Sequence, residues 1–114
     1  PFFIYYSSAG SHSPHHVSKE WIAKYKGKFD EGWDVLRERN LQNQIKAGIV
    51  PEGTQMAKAP DSIPKWDGLT PQQQKIYARQ AEVFAAFTEY SDYEAGRLIQ
   101  AIDDLGHRQG IGGA

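Results

Sequence analysis

His12, His15 and His16 form an H-x-x-H-H run between Ser11 and Val17. Imidazole can ligate a metal, pass a proton near neutrality or donate hydrogen bonds to an anion, so three readings stand side by side. A tight zinc site needs three or four ligands in fixed geometry. Here Pro14 restricts the backbone between the histidines, and no nearby carboxylate is placed as a further ligand. In the second reading the histidines are solvated loop residues, as polar loop residues generally are. In the third, one of them faces a substrate as proton donor or anion-binding donor.

The elements around the run place it. Phe2 to Tyr6 reads as a short strand, apolar on both faces, of the kind found inside an α/β sheet. Ser7 to Pro14 is a loop broken by Gly10 and Pro14. The histidines therefore follow the carboxyl end of a strand, where open α/β sheets bind ligands. Ser18 is positioned to cap a helix from Lys19 to Tyr25 that Gly27 ends. Asp30 is positioned to cap a second helix with Trp33, Leu36, Leu41 and Ile45 on its apolar face, closed at Gly48. Ile49 to Leu69 carries Pro51, Pro60 and Pro64 and reads as an extended connection anchored by Ile63 and Trp66.

Thr70-Pro71-Gln72-Gln73 is the strongest local signal: a capping threonine, proline at the first helical position and glutamine reaching back. The helix it opens runs to about Leu105, with Ile76, Ala81, Val83, Phe84, Phe87, Leu98, Ile102 and Leu105 as its apolar side and Gly106 as its stop. Its expected length of roughly 50 Å exceeds the ~27 Å diameter of a compact domain of this size. It either kinks near Ser91 or Gly96 or crosses a larger body. The fold class expected is mainly α, short helices plus one long C-terminal helix, with one short N-terminal β-strand.

Composition bounds the function. The chain has 114 residues and a net charge of −1 with both signs mixed, so it has no basic stripe for nucleic acid or an anionic membrane. No apolar run reaches membrane-spanning length. The absence of cysteine excludes disulfides, thiolate metal sites and a cysteine nucleophile. The opening Pro1-Phe2-Phe3-Ile4-Tyr5-Tyr6 starts directly in strand-like sequence. Residues 1–106 are accordingly expected to be an internal segment of a longer catalytic domain, and 107–114 a flexible or non-native tail.

Pro1-Phe2-Phe3-Ile4-Tyr5-Tyr6, Ser11-His12-Ser13-Pro14-His15-His16, Lys19-Glu20-Trp21-Ile22 and Lys24-Tyr25-Lys26-Gly27-Lys28-Phe29-Asp30 together resemble bacterial arylsulfatases of the formylglycine-dependent type. The resemblance continues in Trp33-Asp34 and Arg37-Glu38, then in Tyr77-Ala78-Arg79-Gln80, Glu82 to Phe87, Asp92 and Gly96 to Ile99. It implies a piece of an α/β, alkaline-phosphatase-like fold and hydrolysis of sulfate esters. In the full-length parent it implies a calcium ion and a formylglycine nucleophile made from Cys or Ser. By position it makes His12 the histidine that contacts the ester, with His15 and His16 as substrate-binding residues at the pocket mouth.

The departures from that pattern are as informative. The nucleophile signature, Cys or Ser followed by x-Pro-x-Arg, does not occur; Ser62-Ile63-Pro64-Lys65 has no arginine two places after its proline. The aspartates of the family's calcium motif are missing from their expected context, and Asp103-Asp104 reads as surface charge at a helix end. Arg97 is expected to pair with a carboxylate and help dock the long helix. Lys24, Lys26 and Lys28 are expected to be solvated, and Trp21, Trp33 and Trp66 to be packing anchors. The expectation is an inactive segment of a sulfuric ester hydrolase that self-associates when isolated, by exchange of the long helix. The rival is a free-standing helical interaction module without catalysis.

Overall fold

The structure, a computed structural model, describes residues 3–8, 10 and 12–106. The expected tail, 107–114, lies outside the described residues, as do Pro1, Phe2, Ala9 and Ser11. The chain is mainly helical, as its sequence indicates: α1 is Lys19–Ala23, α2 is Gly32–Lys46, a 3-10 turn spans Trp66–Gly68, and α3 is Pro71–Asp104.

The expected N-terminal strand differs. Residues 3–8 belong to no regular element, and no strand occurs among the described residues. A strand is held by its ladder to a neighbour, and none of the described segments offers one. Phe3 and Tyr5 are consequently 89% and 84% exposed.

Two units divide the chain. One comprises residues 25–82 and the other residues 1–24 with 83–114, so α3 contributes its first part to one unit and the remainder to the other.

In the 25–82 unit, Trp66 is the centre of packing. It is buried, meets Trp33 of α2 edge-on with centroids 4.8 Å apart, and accepts a hydrogen bond from Gln74 at its carbonyl, 3.0 Å. Its backbone N–H donates to Asp34 Oδ2 at 2.8 Å. Trp33 also meets Tyr77 of α3 at 5.6 Å and donates from Nε1 to the Pro64 carbonyl at 3.1 Å. This requires glycine at position 32: φ is +82°, and a Cβ there would lie 2.2 Å from Cγ of Trp66. The anchor role expected of Trp66 holds, but Ile63 is 49% exposed and anchors nothing comparable.

Local caps follow chemistry unevenly. At α3 the Gln73 N–H donates to Thr70 Oγ1 at 3.3 Å, and the Thr70 N–H donates back to Gln73 Oε1 at 2.9 Å, completing the expected box. At α2 the cap position is Glu31 rather than Asp30, with no side-chain cap bond. Ser18 does precede α1, yet its hydroxyl caps nothing, and the helix ends at Ala23 rather than Tyr25. No interruption falls at Ser91 or Gly96 within α3. The helix stops as expected, with Gly106 at φ +74° and its N–H on the Asp103 carbonyl at 2.9 Å.

The buried positions of α3 match the expected ones only in part: Phe87 is buried as expected, but Ala78, Glu82 and Ala86 are not among those expected. Ala78 and Glu82 in one unit and Ala86 and Phe87 in the other are buried, whereas Ile76, Phe84 and Leu105 are exposed by 49%, 43% and 71%. The i, i+4 spacing of Ala78, Glu82 and Ala86 defines one face of the helix.

Glu82 is the buried charge among the described residues, 6% exposed. Its Oε1 accepts the Gly27 N–H at 2.8 Å and its Oε2 accepts from Arg79 at 2.7 Å. Burial alone raises its pKa, but the Arg79 and Gly27 hydrogen bonds and the charges of Arg79 and Lys26 outweigh it, leaving the carboxyl below its ordinary value. Arg79 itself is 55% exposed, so the ion pair is screened and the hydrogen bond to Gly27 matters more. A carboxyl whose folded pKa is depressed contributes stability that is present above its unfolded pKa and lost as pH falls through the folded one. Glu82→Gln is therefore expected to cost about 2 kcal/mol at neutral pH and to flatten the acid limb of stability against pH. Denaturant midpoints measured across that range check it; an unchanged acid limb contradicts it.

Candidate functional site

The three histidines occupy different environments. His15 is half-buried, its ring meeting Phe84 of α3 edge-on at 5.2 Å and 76°, and Phe87 at 5.7 Å and 45°. A ring pinned between two phenyl groups holds the loop in place through dispersion and quadrupole contacts. Further back, Gly10 lies against Ser91, where a Cβ would stand 2.6 Å from its Oγ; only a residue without a side chain lets this loop approach so closely.

His12 and His16 are exposed. His12 Nδ1 lies 2.7 Å from the Ser13 carbonyl oxygen. A carbonyl only accepts, so Nδ1 carries the hydrogen and Nε2 is the ring nitrogen left for a ligand. In the imidazolium form Nε2 donates a proton; in the neutral form it accepts. The His16 backbone N–H is held by the Pro14 carbonyl at 3.1 Å.

His15 and His16 line a concavity of about 520 Å³ together with Val17, Ser18, Trp21 and Tyr90; His12 is not part of its wall. Trp21, on α1, meets Tyr90 at 5.6 Å and Tyr93 at 5.4 Å, both on α3. Lys24 stands over the Trp21 ring, 3.6 Å from its centroid, and pairs with Glu89 at 2.9 Å. The sequence gives no spacing that links Trp21 to Tyr90. The i, i+3 pair Tyr90 and Tyr93 on one helix edge was the signal available for an aromatic patch there.

Other sequence-based expectations resolve as follows. Arg97 does pair with a carboxylate, but with Glu94 of its own helix at 2.8 Å, so the pair docks nothing. Among the described residues no three of His, Cys, Asp and Glu gather to hold a metal ion.

Comparison with known proteins gives a consistent family. The pattern of the family described as Sulfatase matches residues 1–109. An uncharacterised sulfatase of Schizosaccharomyces pombe is 39% identical over 106 residues, covering 92% of this chain and 19% of its own length. An arylsulfatase of Klebsiella aerogenes is 26% identical over 106 residues, covering 93% of this chain and 23% of its own length. The chain thus spans about a fifth of the length of these curated relatives, one fungal and one bacterial. The arrangement of the histidines leads to a direct test. Calorimetric titration of the chain with zinc at neutral pH is expected to show no stoichiometric uptake, since one imidazole is pinned on phenyl rings and no carboxylate converges. Tight one-to-one binding lost in His15→Ala contradicts this.

Proposed function

We propose, from the premise that this chain belongs to the sulfatase family, that it is one part of a sulfuric ester hydrolase resembling arylsulfatases. In this reading residues 1–106 are an internal segment of the catalytic domain, and His12 is the residue that faces the scissile ester. His15 and His16 line the mouth of the site. The observation that carries the reading is the state of His12: an exposed imidazole whose Nδ1–H is committed to a backbone carbonyl, leaving Nε2 for substrate.

The chemistry assigned to this chain is proton delivery. Cleavage of a sulfate ester places negative charge on the departing alkoxide or phenoxide oxygen, and a positioned imidazolium neutralises it as the bond breaks. The Ser13 carbonyl orients the ring through the Nδ1 contact.

The resemblance also assigns calcium and a formylglycine nucleophile to the full-length protein. The residues here do not fit either group: the chain has no cysteine, no Ser-x-Pro-x-Arg, and no gathered acidic set among the described residues. Both groups are therefore assigned to polypeptide beyond these 114 residues, and the chain alone is inactive.

In the longer protein, His12→Ala is expected to slow hydrolysis about 100-fold for esters with poor, strongly basic leaving groups. For 4-nitrophenyl sulfate, whose leaving group needs little protonation, the loss is only a few-fold. Steady-state rates across a leaving-group series measure this; equal slowing throughout contradicts proton delivery by His12.

A further inference from the structure

We propose that His15 is a positioning residue for His12: by seating the loop on α3, it holds the Ser13 carbonyl where that oxygen orients the His12 ring. This rests on the proposed role of His12 as the ester-facing residue. It adds the part of the fold that keeps His12 in the tautomer with Nε2 open to a ligand. His15 then reaches the reaction through its neighbour rather than through the substrate.

The connection runs along the backbone from His12 to His16. His12 Nδ1 lies 2.7 Å from the Ser13 carbonyl oxygen, so the ring follows the plane of the Ser13–Pro14 peptide. Pro14 comes next, its φ locked by the pyrrolidine ring. Its own carbonyl accepts the His16 N–H at 3.1 Å, and a bond from residue 16 back to residue 14 closes a turn with His15 at the apex. The apex ring packs on Phe84 at 5.2 Å and on Phe87 at 5.7 Å. Between the His12 ring and those phenyl groups stand a hydrogen bond, planar peptides and a proline, which leave little torsional freedom.

A second tether acts from the other side of His12. Gly10 lies so close to α3 that a Cβ there would stand 2.6 Å from Ser91 Oγ and 2.7 Å from Ser91 Cβ. Phe84, Phe87 and Ser91 follow at i, i+3 and i+7, one stripe of the helix, and the Ser91 hydroxyl donates to the Phe87 carbonyl at 2.9 Å. All of these residues belong to the same unit. The loop is thus held to a single stripe before and after His12, with the exposed imidazole between the two points. A loop held at one point alone samples many orientations of the Ser13 carbonyl; one held at both gives up that entropy before substrate arrives. Ring contacts of ordinary strength favour the seated loop about 10-fold.

Two readouts test this. In the chain itself, imidazole nitrogen resonances report the tautomer of neutral His12, and the indole signals of Trp21 and Trp66, one in each unit, show that a variant is folded. The Ser13 contact requires the hydrogen on Nδ1, whereas an unheld histidine in water favours Nε2–H. His15→Ala is expected to shift the His12 ratio about 10-fold toward Nε2–H. Gly10→Ala should do the same by displacing the other tether, and His15→Phe, which keeps a ring for Phe84 and Phe87, should restore Nδ1–H. In the longer protein, His15→Ala is expected to lower kcat about 10-fold for poor leaving groups with KM unchanged, and to add nothing in a His12→Ala background. A His12 tautomer indifferent to His15→Ala overturns the proposal. So does a rise in KM at constant kcat, which marks direct substrate contact, or an additive loss in the double variant. The tautomer is read without turnover, so the two readings fail separately. A leaving-group effect of His12→Ala beside a tautomer that ignores His15 rejects only this inference. A tautomer that follows His15 in a protein whose hydrolysis ignores His12 rejects the catalytic role of His12 and upholds the positioning.

Discussion

The imidazole of His15 pressed against Phe84 and Phe87 is the contact on which the histidine loop depends. The described residues between Ser7 and Val17 belong to no regular element, and side chains hold them against α3. His15 supplies the apolar anchor, and the close seat of Gly10 on Ser91 supplies the second tether. His12 and His16 are exposed instead, His12 with Nδ1 engaged by the Ser13 carbonyl. The three identical side chains thus occupy three different environments.

The 25–82 unit solves a different problem with the same economy of parts. Its irregular stretch from Gly48 to Lys65 is long for so small a body, and it is held by Trp66 on Gly32, by Asp34 on the Trp66 N–H, and by Arg37 on the Ala57 carbonyl at 2.8 Å. Glu82 binds the turn at Gly27 to α3 in that unit. These are backbone groups satisfied by side chains, as is required where no helix or sheet ladder is available. The exposed ion pairs, Lys58 with Asp61 among them, add little to this in water.

Much of this was legible in the residues. The Thr70–Gln73 box and the stop at Gly106 rest on short-range chemistry, which a sequence states directly, and the burial of Trp66 follows from its large apolar ring. The family, too, was legible, from the P-F-F-I-Y-Y and S-H-S-P-H-H segments and their downstream partners. The buried side of α3 was legible only at Phe87, because the reading weighted large apolar residues. It passed over Ala78 and Glu82 in one unit and Ala86 in the other, two small side chains and a carboxylate buried through its hydrogen bonds. The strand at the N-terminal end was not legible as a ladder, since strand sequence specifies a face but pairing needs a partner. Nor did spacing reveal the Trp21–Tyr90 wall, whose halves meet only through the path of the chain.

The sulfatase family has an α/β, alkaline-phosphatase-like fold, and this helical chain spans about a fifth of the relatives compared. The function proposed for it divides the chemistry, with the ester-facing histidine in this chain and the nucleophile in other polypeptide. The most direct measurement is release of 4-nitrophenol from its sulfate ester by the purified 114-residue chain with calcium present, beside the longer protein that contains it. The account predicts turnover by the longer protein and none by the chain. Calcium-dependent turnover by the chain itself contradicts it.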